Sequence, residues 1–87
     1  MYVILVYDVG EKRVGKMLKL CRRYLNWIQN SVFEGEISAV DLKSLLVQAQ
    51  DFMDMEKDSI ILFKCKAPIL AAKEIIGKER ASVDNFL

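Results

Sequence analysis

Tyr2-Val3-Ile4-Leu5-Val6-Tyr7-Asp8-Val9, closed by Gly10, is the stretch on which the fold turns. It is β-branched and aromatic almost throughout, and its apolar residues fall on both parities. A strand with one face in water alternates apolar with polar residues, whereas one covered on both faces does not. The run therefore predicts a central strand with protein on both sides. It is far too short to span a bilayer, and the chain starts without a basic leader or a small-residue cleavage site, so no membrane and a cytoplasmic location are expected.

Downstream the period changes. Val14, Met17, Leu18, Cys21 and Leu25 fall at i, i+3, i+4, i+7 and i+11, the apolar face of a helix beginning near Arg13. The segment from Asn26 to Ile37 is strand-like but has Gln29, Asn30 and Ser31 at its middle, which fits one strand with a polar centre or two short strands meeting near Ser31. Ser38 with Asp41 three residues on has the form of a capping box, opening a second helix striped by Leu42, Leu45, Leu46, Ala49 and Met53. Asp51, Asp54, Glu56 and Asp58 then read as a solvated acidic connection. Ser59 to Cys65 is a further strand, closed by Ala67-Pro68, and Lys73-Glu74-Ile75-Ile76 before Gly77 predicts a short last one.

This order is that of a ferredoxin-like α+β sandwich, an antiparallel sheet with two helices on one face, formed by residues 1–87 as a single domain. Two helices cover only one side of a sheet. The second apolar side of the first strand is therefore expected to be buried in a twofold homodimer, which also relieves the small buried fraction available to 87 residues. The tail, residues 78–87 with Phe86 and Leu87 at its end, is expected to pack on the partner chain.

The absence of histidine excludes Ser-His and Cys-His nucleophilic systems and His-based metal sites, and no phosphate-cradling glycine loop is present. Cys21 and Cys65 lack zinc-ligand spacing and read as buried free thiols. Carboxylate chemistry remains, and the informative acid is Asp8 at the carboxyl end of the first strand. It either caps the turn before the helix or ligates a divalent metal, Mg²⁺ or Mn²⁺, which is often held by one or two carboxylates with waters and phosphate oxygens. A twofold axis near the ends of the two first strands would supply the second carboxylate from the partner's Asp8.

The net charge of +1 hides an uneven distribution, since six of the thirteen basic residues lie between Lys12 and Arg23 with no acid among them. Such a face is either simply solvated or a surface for phosphate backbones. On the second reading, nucleic acid is contacted by Lys12, Arg13, Lys16, Lys19 and Arg23. Tyr24, Trp27 and Phe33 are either base-stacking platforms or packing residues.

Val6-Tyr7-Asp8-Val9, Arg13 and Lys16 in a basic helix, and Gln29-Asn30-Ser31-Val32-Phe33-Glu34-Gly35 together resemble the CRISPR-associated protein 2 family over nearly the whole chain. The resemblance implies a ferredoxin-like homodimer with Asp8 of the two chains around a shared divalent metal, and Asp8 as the catalytic residue of a metal-dependent endoribonuclease or duplex DNA endonuclease. It also implies an antiviral-defence role in the complex that captures short DNA as new spacers, alongside an integrase subunit. By the same resemblance Ser31 and Phe33 lie near the dimer seam. Two alternatives stay open, a non-catalytic DNA-binding scaffold for the integrase subunit and a small-molecule regulatory module.

Overall fold

The computed structural model describes residues 1–66 and 73–81. Their elements are β1 (Tyr2–Asp8), α1 (Glu11–Arg22), β2 (Asn26–Gln29), β3 (Val32–Glu36), α2 (Ala39–Phe52) and β4 (Ser59–Cys65). The four strands form one antiparallel sheet in the order β2-β3-β1-β4, so the apolar opening strand lies inside the sheet as its sequence predicts. Crossing from β1 through α1 to the far edge and back is the ferredoxin-like arrangement.

Alternation along β1 divides its side chains. Val3, Leu5 and Tyr7 are buried with Phe33 of β3, Met17, Leu20 and Cys21 of α1, and Leu42, Leu45 and Ala49 of α2 in one core. Burying each large side chain of this group stabilises the fold by about 1.5–3 kcal/mol. Ile4, Val6 and Asp8 point to the other side of the sheet, where Ile61 and Phe63 of β4 are each 53 % exposed. That side carries the apolar surface for which the sequence demands a cover.

Several local expectations hold and several are corrected. The Asn26–Ile37 segment is two strands joined at Asn30-Ser31, with Asn30 in the left-handed region at φ 46°, which asparagine tolerates better than most residues. Ser38 caps α2, its hydroxyl accepting from the Asp41 amide at 3.1 Å. Of the predicted α1 face, Met17, Cys21 and Leu25 are buried and Leu18 packs against the core, whereas Val14 is exposed and Leu20 is buried as well. Cys65 is only half-buried, since it ends β4 on the open side of the sheet, whereas Cys21 is buried and its thiol pushed up to about 12 by that burial. Residues 73–76 form no strand: Ile76 is 89 % exposed, and Lys73 is fixed by its side chain rather than by a ladder. Ala67-Pro68, Phe86 and Leu87 lie outside the described residues. No helix among the described residues is long and apolar enough to cross a membrane.

Candidate functional site

Asp8 is the last residue of β1, exposed, on the same side of the strand as Ile4 and Val6. Its ladder partner is Ser59, the first residue of β4. A shallow hollow of about 310 Å³ opens beside it, lined by Tyr7, Asp8, Val9, Val14, Asn30 and Ser31. The Ser31 carbonyl accepts from the Tyr7 amide at 3.1 Å, so the β2–β3 turn is tied to the strand end that carries the acid. Ser31 thus lines the candidate site. Phe33 does not: register pairs it with Leu5, and it is fully buried on the helix side of the sheet, stacked on Tyr7 with ring centroids 6.1 Å apart. The seam position implied for it by resemblance is on the opposite face from the one left open.

The loop after Asp8 is held by a residue that the sequence reading assigned to a solvated connection. Asp58 is buried, and its carboxylate accepts four hydrogen bonds. Oδ1 accepts from the Gly10 amide at 2.8 Å and Arg13 Nη2 at 2.9 Å; Oδ2 accepts from Arg13 Nε at 2.5 Å and the Asp54 amide at 2.9 Å. The Arg13 guanidinium, with the Asp54 and Gly10 amides, holds the Asp58 carboxyl well below the usual carboxylate range, against the opposing effect of burial. Gly10 is the N-cap residue of α1 and has no side chain to cap with. A Cβ at Gly10 would stand 2.5 Å from Arg13 Nη2, so glycine is needed there for the close approach of the arginine and not for its dihedral angles, φ −57° and ψ 148°.

Arg13 is therefore separated from the other basic residues. Its N–H fork is committed to Asp58, a bidentate geometry that fixes both groups. Lys16, Lys19 and Arg23 instead line a groove of about 380 Å³ between the helices with Leu20, Gln48 and Phe52, and Asp51 of α2 is the acid on its rim. The Lys16 ammonium lies over the Phe52 ring at 5.2 Å, and Arg23 lies over Tyr24 at 5.8 Å while donating to Gln48 Oε1 at 3.4 Å. Lys12 is exposed in the first turn of α1, outside that groove. Of the aromatics read as possible platforms, Phe33 is core, Tyr24 is half-buried with its hydroxyl bonded to Ser44 and Gln48, and Trp27 donates Nε1–H to the Asn30 carbonyl at 3.0 Å.

A second buried acid went unread in the sequence. Glu34 lies opposite Ile4 on the open side of the sheet, and its oxygens accept from the Tyr2 hydroxyl at 3.0 Å and Lys73 Nζ at 2.8 Å. Burial, and then the neighbouring Glu34, pushes the Tyr2 hydroxyl up to about 12. The only foreshadowing was an acid inside a strand-like run, which buries its charge only when paired.

No group of three or more His, Cys, Asp or Glu gathers among the described residues. Asp8 and the Asn30-Ser31 turn, which line one hollow, are the oxygen-bearing groups that would face a divalent cation at this strand end. A lone carboxylate is compatible with Mg²⁺, which keeps several waters and takes phosphate oxygens, but a second carboxylate would have to come from another copy.

Comparison with known proteins gives a consistent result. A family model described as CRISPR associated protein Cas2 matches residues 1–68. A relative from Thermotoga maritima is 41 % identical over 87 residues, covering all of this chain and 99 % of its own, and one from Frankia alni is 39 % identical with full coverage of both. Each bears the name CRISPR-associated endoribonuclease Cas2. Among solved structures, Streptococcus pyogenes Cas2 at pH 6.5 superposes with a TM-score of 0.81 at 28 % identity, covering 88 % of this chain and 100 % of that one.

Proposed function

The chain belongs to the CRISPR-associated Cas2 family, and on that footing we propose that it is a nucleic-acid-binding homodimer of the spacer-acquisition machinery with Mg²⁺-dependent endonuclease activity. The observation that carries this reading is the placement of Asp8 on the same side of β1 as Ile4 and Val6, beside the exposed Ile61 and Phe63. A second copy that covers this apolar surface brings the acid with it to the rim of the interface. Asp8 and the partner's Asp8 would then hold Mg²⁺ or Mn²⁺. When bound, the ion supplies Lewis acidity toward a phosphodiester and lowers the pKa of water.

The protein's own contribution is positional. Lys16, Lys19 and Arg23 form a cationic groove beside the helix that starts three residues after Asp8, suited to a phosphate backbone and indifferent to base sequence. Lys12, in the first turn of α1 and four residues from Asp8 in the chain, is proposed as the basic residue that meets a phosphate near Asp8. Within the family setting, the nucleic-acid substrate is RNA or duplex DNA and the further partner is the integrase subunit, in the cytoplasm. A scaffold that holds DNA without cutting it is favoured by one observation: among the described residues no group of three or more His, Cys, Asp or Glu gathers around Asp8.

Asp8→Asn separates the two. It keeps size and hydrogen bonding while removing a charge, so Mg²⁺-dependent cleavage of single-stranded RNA and duplex DNA should disappear while metal-free DNA binding is retained. Cleavage that survives the substitution overturns the catalytic role, and a wild-type protein that binds DNA without cutting either substrate establishes the scaffold. Sedimentation equilibrium tests the dimer: a folded monomer at low micromolar concentration refutes it.

A further inference from the structure

We infer that Asp58 is the positioning residue of Asp8, setting where the strand-end carboxylate stands through the backbone on both sides of it. The inference rests on the reading of Asp8 as a metal ligand. Asp58 immediately precedes Ser59, which is the ladder partner of Asp8. Its Oδ1 also takes the amide of Gly10, two residues beyond Asp8. Asp8 is thus bracketed by a ladder pairing and a charge-assisted hydrogen bond that come from two adjacent residues, Ser59 and Asp58.

The bracket is closed on a third side by α1. Arg13 reaches back from the first turn of the helix, donates Nε and Nη2 to the same carboxylate, and passes so close over Gly10 that a Cβ there would collide with it. The Gly10 carbonyl in turn accepts from the Arg13 amide at 2.8 Å. On its other side, Asp58 Oδ2 takes the Asp54 amide, which ties the connection after α2 into the same knot. Asp58 itself is buried beneath the loop, with no free lone pair directed at the hollow beside Asp8 in these contacts, and so acts through Gly10 and Ser59 and not on a ligand. Removing its charge loosens the Val9-Gly10 segment and leaves Asp8 held by its ladder pairing with Ser59 and by the Tyr7 tie to the Ser31 carbonyl.

The test is Mn²⁺ affinity of the full-length protein, followed by the loss of the free-ion paramagnetic resonance signal, with amide hydrogen exchange at Val9, Gly10 and Glu11 on the same samples. Wild type should bind Mn²⁺ and Asp8→Asn should abolish binding. Asp58→Asn should weaken affinity by roughly tenfold or more, the range typical of residues that orient a metal ligand, and should speed exchange at Gly10. Arg13→Lys, which keeps the charge and loses the fork, should give a smaller loss in the same direction and serves in place of Asp58→Asn if that chain does not fold. Lys73→Met destabilises the opposite end of the sheet and should leave Mn²⁺ affinity unchanged, which separates positioning from general loss of stability. Wild type without Mn²⁺ binding removes the reading of Asp8 and this inference with it. Asp8-dependent binding that a folded Asp58→Asn or Arg13→Lys chain retains at full affinity overturns the role of Asp58 alone.

Discussion

One added methyl group should have opposite effects at two glycines five residues apart. Gly15 is inside α1, and nothing lies within 4 Å of a Cβ built on it. Alanine there recovers the helix propensity that glycine forgoes, about 1 kcal/mol, which for a domain of this size raises the melting temperature by about 4–8 °C. At Gly10 the dihedral angles are open to alanine, so restriction of the unfolded chain alone would favour the substitution by about 0.4–1 kcal/mol. The new Cβ, however, would lie 2.5 Å from Arg13 Nη2 and 3.2 Å from its Cζ. That guanidinium is not a free end, because Asp58 holds it at two atoms, so it moves only by breaking the pair over a buried carboxylate. Gly10→Ala should therefore melt below wild type while Gly15→Ala melts above it, measured by circular dichroism at one protein concentration. In an Arg13→Ala background the obstacle is gone, and the effect of Gly10→Ala should be smaller or reversed. Gly10→Ala melting at or above wild type would show that Arg13 yields easily and that the clamp on the Asp8 loop is not rigid.

Charge reversal of Lys16 and Lys19 should weaken DNA binding about equally across sequences and flatten its salt dependence by about one unit of slope per lost phosphate contact; an unchanged slope returns both to a solvated face. Lys73→Met leaves the buried Glu34 with the Tyr2 hydroxyl as its remaining side-chain partner among the described residues, and because Lys73 is a quarter exposed the expected destabilisation is about 3 kcal/mol, the lower end for a broken buried pair. Adding Glu34→Gln should recover most of that loss in chemical denaturation. The depressed Asp58 carboxyl contributes stability that is fully present above its ordinary value of 3.8 and is lost as pH falls below it, so Asp58→Asn should flatten the acid limb of the stability profile below about pH 4, and equal acid sensitivity in the two proteins would refute this.

What the sequence disclosed and what it hid divide along physical lines. β1, the Ser38 cap, the leucine stripe of α2 and the limits of β4 were legible because each follows from periodicity or from a bond three residues long. On α1 the periodicity gives Met17, Cys21 and Leu25 correctly, while the exposure of Val14 and the burial of Leu20 depend on tertiary packing that periodicity does not encode. Asp8 was legible as a strand-end acid. Asp58 and Glu34 were not, because their partners lie 45 and 39 residues away in the chain, and an acid in a charged run or a strand gives no local sign of the arginine or lysine that will bury it.

Glu34 and Asp58 also bear on which face of β1 carries Asp8. Register in a sheet has a period of two, so a slip of one residue would exchange the faces of β1, sending Ile4, Val6 and Asp8 into the core and Val3, Leu5 and Tyr7 out of it. On a strand apolar on both parities the hydrophobic pattern resists that slip less than usual. Polar locks at the two ends supply the missing preference: Tyr2 to Glu34 and Lys73 at one, Gly10 to Asp58 and Arg13 at the other. Each is satisfied in one register only, since a one-residue shift would turn the Tyr2 hydroxyl away from Glu34 and separate the Gly10 amide from Asp58. The apolar residues of β1 thus drive burial without choosing a face, and the charges at its ends decide which face carries Asp8.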